Sequence, residues 1–293
     1  MHTLSLTYQQ DIEKRGYSIV ENVLGREDVD ALRTAVEHAI IESRDSTSVR
    51  DRGGVYAIRN VTEVVPSVLA LHRHSDIAQL VEPILGAQAM LVRGLMFDKS
   101  HESNWGIFWH QDLSIAVRQK EAVPDFGPWS IKAGIQHVQP PSAILQNMLT
   151  VRLHLNDCPE SNGALRVLPG SHQSSRLSIL ESETLQQNTD PATCCVTSGG
   201  AVIMRPLLLH SSNRATDPAR RRVIHLEFAA ERLPEPLQAT SPKTRFIPVT
   251  YICFGASIPS NANPRVKVRA VRSQSSSRLV RTESSSSFST GQS

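Results

Sequence analysis

Downstream of Gly86 the hydrophobic positions fall in short runs separated by turn residues, whereas upstream of it they recur at helical spacing. In DVDALRTAVEHAI, Val29, Leu32, Val36 and Ile40 lie near one face, which predicts a helix. SDIAQLVEPILG (75–86) predicts a second, with its Ser at the N-cap and Gly at the end. GYSIVENVL reads as a short strand before the first, and SRDSTSVRDRGG (43–54) as a loop. After Gly86, MLVRGLMFDK, GIFWHQDLSIAV, MLTVRLHLNDC, ALRVLPGS, CCVTSGGAVIMRP and RRVIHLEFAA read as strands or strand pairs. PDFGPWSIKAGIQHVQPP (124–141), rich in Pro and Gly, reads as a long loop. Helices followed by many short strands predict an α+β fold with a β-sandwich or barrel at its centre.

Composition changes this picture only at the C-terminus. From Thr240 onward the chain carries eight Lys/Arg and one acid, a net of +7, while residues 1–239 carry 23 basic and 27 acidic residues, a net of −4. The overall charge of +3 is therefore a property of a basic, Ser-rich tail (240–293), which composition predicts to be largely disordered. It is no argument for nucleic-acid binding by residues 1–239, which are expected to form one domain, with helices over 1–86 and a barrel over 87–230. The four cysteines include no C-x-x-C pair, so neither zinc nor a disulfide framework is indicated. The first residues lack the apolar core of a signal peptide, and no uncharged apolar run is long enough to span a membrane. The expectation is a reduced, cytoplasmic protein, monomeric or homodimeric.

One stretch carries chemistry. WGIFWHQDLSIAV (105–117) sets His110 and Asp112 two positions apart among Trp105, Phe108 and Trp109. On a strand, residues i and i+2 share a face, so imidazole and carboxylate would aim at one point with Gln111 turned away. A third ligand is expected at another strand end. His210 closes the apolar run AVIMRPLLLH and is followed at once by the turn residues SSN. Two histidines and one carboxylate with open positions opposite are the arrangement of non-haem Fe(II) oxygenases. A chance H-x-D and a hydrogen-bonded surface histidine remain the plain alternative. The triplet Arg220-Arg221-Arg222 weighs against it, because a dicarboxylic co-substrate chelating iron at one end needs a cation at the other. Strand parity puts Arg221 on the polar face with Val223, His225 and Glu227, so Arg221 is the expected clamp.

With H-x-D, a distal His and an Arg eleven residues later, the chain resembles the phytanoyl-CoA dioxygenase family of Fe(II)/2-oxoglutarate oxygenases. RGYSIVENVL, LMFDK and NGALRVLPGSH agree with it, over roughly residues 8–230. The resemblance implies a double-stranded β-helix, a jelly-roll barrel with helices outside. It implies iron ligands His110, Asp112 and His210, with Arg221 and Ser212 on the far carboxylate of 2-oxoglutarate. Lys99 matches a lysine that contacts the co-substrate in ectoine-hydroxylase-like members. The implied reaction oxidatively decarboxylates 2-oxoglutarate with O₂ and hydroxylates or otherwise oxidises a small molecule. Related halogenases carry a small residue in place of the carboxylate, so Asp112 argues for hydroxylation or another oxidation.

For the substrate, alternation in MLTVRLHLND groups Thr150, Arg152 and His154 on one face, either lining the cavity or solvated outside. Trp129, in the 124–141 loop, is a candidate lid contact, and His172 in PGSH is expected to stabilise a turn. Two rival readings are an idle binding module on the same barrel and a cupin-type isomerase or hydrolase. The arginine clamp discriminates against the second.

Overall fold

A computed structural model describes residues 2–42, 49–51, 55–132, 134–237 and 244–245. The 240–293 tail lies outside the described residues, apart from Thr244 and Arg245, as does most of the 43–54 loop.

The chain opens with helix α1 (His2–Arg15), strand β1 (Tyr17–Val20) and helix α2 (Arg26–Glu42). α2 buries the expected stripe of Val29, Leu32, Val36 and Ile40, and Glu27 and Asp28 in its first turn complement the helix dipole. Strands β2 (Val49–Asp51) and β3 (Val55–Arg59) precede the second expected helix, Ser75–Leu85. Its N-cap is His74, whose ring accepts from the Asp76 amide, so Ser75 is already the first helical residue. Gly86 caps the other end at φ 86°, a conformation that glycine adopts without strain.

Then come β4 (Met90–Lys99), β5 (Ile107–His110), β6 (Ile115–Val117), β7 (Trp129–Lys132), β8 (Ile135–Val138), β9 (Met148–His154) and β10 (Leu165–Val167). β11 (Ala192–Cys194), β12 (Ala201–Met204), β13 (His210–Ser212), β14 (Arg221–Ala229) and β15 (Thr244–Arg245) complete the set. They form three antiparallel sheets. The large one runs β1-β12-β9-β14-β4-β3-β2, with β15 also on β4; the small one runs β11-β10-β13-β5. Two opposed antiparallel sheets with helices packed outside one of them make the jelly-roll barrel. The third sheet, β6-β8-β7, corrects the loop expected over 124–141. Gly134 at φ 77° supplies the turn between β7 and β8. The prolines and glycines that dominate the composition sit mainly at the flanks. A helix over Ile179–Asn188 was not expected; its signal is the capping box of Ser178 and Glu181.

Every residue of β9 and β14 is buried. Their apolar face, with Leu149, Val151, Leu153, Ile224, Leu226 and Phe228, packs in one core with α2 and the 75–85 helix. The polar face therefore cannot be solvent. Thr150, Arg152, His154, Arg221, His225 and Glu227 point into the barrel, and charged residues inside a barrel are costly unless something uses them. No helix among the described residues is long and apolar enough to cross a membrane.

Candidate metal centre

The donors meet at the mouth of the barrel. His110 ends β5, His210 begins β13, and the two are register partners across the small sheet. Their rings lie 4.2 Å apart between centroids. His110 Nε2 is 3.9 Å from Asp112 Oδ1, and His210 Nε2 is 3.7 Å from Asp112 Oδ2. One ligand atom from each residue lies within 4.8 Å of the others. Asp112 lies beyond the strand rather than on it, held by its amide donating to Pro206 O at 2.9 Å. Gln111 also lines the cavity, but its side-chain amide is tied off from the triad: its nitrogen donates to Ser175 O and Leu207 O, both at 2.7 Å, and its oxygen accepts from Leu177 N.

Strand β5 departs from simple alternation. His210 pairs with His110 but Ser212 pairs with Ile107, so β5 carries one extra residue, a β-bulge. The bulge puts Ile107 and His110 on the cavity side together and turns Phe108 out, leaving it 94% exposed. None of the three aromatics around the pair belongs to the buried core. Trp105 lines the cavity with Lys99 Nζ 5.3 Å from its ring centroid, and Trp109 lies under Arg166.

Three features fit a divalent metal. The Nδ1 of His110 lies 2.8 Å from Phe108 O, and that of His210 2.8 Å from Leu208 O. If each Nδ1–H donates to its carbonyl, each Nε2 is left a lone pair facing the cluster. Asp112 Oδ2 is buried with no hydrogen-bond partner. The carboxylate-to-imidazole gaps exceed a hydrogen bond, yet fall below twice a metal–ligand bond of about 2.0–2.2 Å. Burial raises the Asp112 carboxyl, but His210, His225, His110 and Arg152 outweigh it and hold the group at about 2. Burial lowers His210 to about 4 against the pull of Asp112. An ionised carboxylate and a neutral imidazole are the ligating forms.

The cavity behind the triad, about 230 Å³, is lined by Lys99, Arg152, Arg221, His225 and Ser212 together with the triad, further charged residues (Arg93, Lys132 and Glu227) and apolar wall residues. Lys99 and Arg221 are register partners on β4 and β14. Lys99 Nζ donates to Ser212 Oγ at 2.7 Å and Asn213 O at 3.1 Å. Burial and the nearby Arg221 lower it to about 7. Arg221 donates to Gly163 O and reaches Cys158 Sγ at 3.6 Å, while its Nε has no partner. Its neighbours are structural. Arg222 and Arg220 pair with buried Asp98 at 3.0 and 2.9 Å, and Arg222 with Glu37. Parity thus separated Arg221 from both.

Of the residues read as substrate contacts, Arg152 lines this cavity. His154 is buried inside the barrel, kept neutral by burial and by Arg152, with neither ring nitrogen hydrogen-bonded; it is not among the lining residues. Trp129 starts β7 and packs with Ile115, Val138 and Leu145, away from the cavity. His172 ties α1 to the turn after β10 through Glu13 O. Parity in RRVIHLEFA put His225 and Glu227 on the polar face with Arg221 but gave them no role, and sequence reasoning missed Arg93, which pairs with Glu227.

A jelly roll with two histidines and a carboxylate at its mouth defines the class of non-haem iron oxygenases. The phytanoyl-CoA dioxygenase family model matches residues 12–223, and the chain belongs to that family. It is similar to the ectoine dioxygenase of Nocardia farcinica, 24% identical over 264 residues covering 80% of this chain and 82% of that protein. It is similar also to the Bordetella parapertussis ectoine dioxygenase, 25% identical over 175 residues, 58% of this chain and 50% of that one. Among solved structures, EctD from S. alaskensis with bound Fe superposes with a TM-score of 0.61 at 17% identity, covering 80% of each chain. The α-ketoglutarate-dependent carbocyclase SnoK from nogalamycin biosynthesis gives 0.59 at 16% identity, covering 76% of this chain and 83% of that one.

Proposed function

We propose that this protein is an Fe(II)- and 2-oxoglutarate-dependent dioxygenase that hydroxylates a small polar molecule. In this reading His110, Asp112 and His210 hold the iron, and Arg221, Ser212 and Lys99 hold the far carboxylate of the co-substrate. The observation that carries it is the pairing of a convergent donor triad, one oxygen of which lacks any partner, with buried cations in the same cavity.

When bound, the iron supplies the oxidising chemistry, driven by decarboxylation of 2-oxoglutarate. The chain's own residues do the rest. The carbonyls of Phe108 and Leu208 fix both imidazoles with Nε2 inward. Arg221 offers a planar fork to a carboxylate, and the ammonium of Lys99 adds charge from the adjacent strand. Leu95, Phe97, Ile107 and Leu165 wall the cavity with apolar surface, which keeps water from the reacting atoms.

The test needs no substrate. Anaerobic protein given Fe(II) and then 2-oxoglutarate should develop the weak visible charge-transfer band of a chelated keto acid. Arg221→Ala should weaken co-substrate binding by about 2–5 kcal/mol, as expected when one partner of a buried charge pair is removed. Folded, iron-loaded protein that gives no band overturns the proposal. With substrate supplied, the product should gain one oxygen atom, read by mass spectrometry.

A further inference from the structure

The cavity carries more positive charge than iron and 2-oxoglutarate use. Lys99, Arg152 and Arg221 all line it and are each at most 9% exposed. None of the three forms an ion pair among the described residues, where the buried acids are already committed: Asp98 to Arg220 and Arg222, and Glu227 to Arg93. Even leaving out Lys99, which loses its proton near pH 7, the cavity-lining Arg152, Arg221 and Lys132 face only Asp112 besides the committed Glu227, and a divalent metal more than cancels that one charge. 2-Oxoglutarate brings two carboxylates. The sum remains positive, so a further anion is required to make such burial tolerable.

Arg152 marks where that anion goes. It projects from β9, opposite His225 of β14, whereas Lys99 and Arg221 face each other at the far end of β14. Four residues of extended strand separate His225 from Arg221, roughly 13 Å at ~3.3 Å per residue. Arg152 is thus rooted four residues along β14 from the co-substrate clamp, although its charge acts on both Arg221 and Lys99. Its one hydrogen bond is from Nη1 to His225 Nδ1 at 2.9 Å, and its Nε is buried without a partner. The contact continues downward: His225 Nε2 is 3.4 Å from Glu227 Oε1, which is 3.3 Å from Arg93 Nη1. If Nδ1 accepts from Arg152, Nε2 carries the proton and faces Glu227. His225, with Glu227 and Arg93 close behind it, thus holds one end of the Arg152 guanidinium and leaves its other N–H groups for the cavity.

Resting on the dioxygenase reading, we infer that the prime substrate is a small carboxylic acid whose carboxylate is bound by Arg152, so that the acid's neighbouring C–H bonds face the metal centre. The cavity volume of about 230 Å³ is below the about 300–1,000 Å³ of pockets that enclose drug-sized ligands. It suits a compact acid, or the acidic end of a longer one, alongside the co-substrate.

The experiment uses the full chain loaded anaerobically with Fe(II) and 2-oxoglutarate. Each member of a panel of short aliphatic, hydroxy and amino acids is titrated beside its own carboxamide, with perturbation of the visible band as the readout. Acids should perturb the band at concentrations at least tenfold lower than their amides. Arg152→Gln should abolish that preference while the band still forms at nearly the wild-type 2-oxoglutarate concentration. Arg152→Lys, which keeps the charge without the fork, should restore part of the preference and guards against misfolding of the first variant. Amides equal to acids, or no response to any acid, overturns the assignment. So does an Arg152→Gln variant that loses 2-oxoglutarate binding as Arg221→Ala does, since Arg152 would then serve the co-substrate. A wild-type protein that never forms the band is a separate outcome: it removes the dioxygenase reading and this inference with it.

Discussion

Lys99 gives the sharpest quantitative expectation. Its amine is 2% exposed, bonded to a hydroxyl and a carbonyl, and has no carboxylate beside it. Burial, then Arg221, lowers it to about 7 from its ordinary 10.5. Both act in one direction, disfavouring the charged form, so the co-substrate-free protein sheds this proton as pH rises through about 7. A bound dicarboxylate acts oppositely and favours the ammonium. Binding above pH 7 must therefore take up a proton, and affinity scales with the fraction already protonated. That fraction falls from about 0.9 at pH 6 to about 0.1 at pH 8, so the apparent Kd for 2-oxoglutarate should rise about tenfold over this range. The co-substrate's own carboxylates, with pKa values of about 4, do not titrate there. Anaerobic calorimetry in two buffers of different ionisation enthalpy reads both the affinity and the proton uptake, which should approach one per site at pH 8. Lys99→Met should bind weakly with no pH slope, and should melt higher than wild type without ligand because an unpaired buried cation has gone. A wild-type affinity flat between pH 6 and 8, or the same slope in Lys99→Met, refutes the reasoning.

Three further outcomes follow from contacts already described. Asp112→Ala should abolish turnover and the keto-acid band while leaving the far-ultraviolet circular dichroism unchanged. Asp98→Asn should cost about 3–5 kcal/mol in urea denaturation, because it strips Arg222, itself 2% exposed, of its buried carboxylate without touching the cavity. Gly163→Ala should both destabilise the fold and raise the Kd for 2-oxoglutarate: φ is 68°, an added Cβ would lie 2.7 Å from Asn213 O, and Gly163 O accepts from Arg221. Thermal melts and band titrations check the two effects separately.

What the sequence made legible depended on whether the needed information was local. The α2 stripe, the capping glycine of the 75–85 helix and the polar face holding Arg221 all follow from one periodicity read over a few residues. The triad was legible for the same reason at His110 and Asp112, and His210 because an apolar run ended beside a turn. The β5 bulge was not, since register is set jointly by two strands about a hundred residues apart. Phe108 therefore ended outside, where simple alternation places it with His110. The β7–β8 hairpin was hidden by composition, its prolines and glycines outweighing two four-residue alternations. Arg152 and His154 share a face, yet only Arg152 reaches the cavity, a difference of depth that periodicity does not encode.

The bulged strand has a bearing on folding as well as on chemistry. β5 is an edge strand of the small sheet, held to β13 through a short, irregular pairing, while the residues it joins are far apart in the chain. An ion shared by His110, Asp112 and His210 would close a loop of about a hundred residues and act there as a cross-link does, a metal staple across an irregular seam of the barrel. Because the unfolded chain offers no such preformed site, the gain grows with free ion as RT ln(1 + [L]/Kd), about 2.7 kcal/mol at a hundredfold excess over Kd. Amide protons of residues 105–112 should then exchange fastest in chelator-treated protein and slow on adding Fe(II) or a redox-inert substitute. The same three side chains proposed to hold the iron would also time the closing of the barrel's mouth.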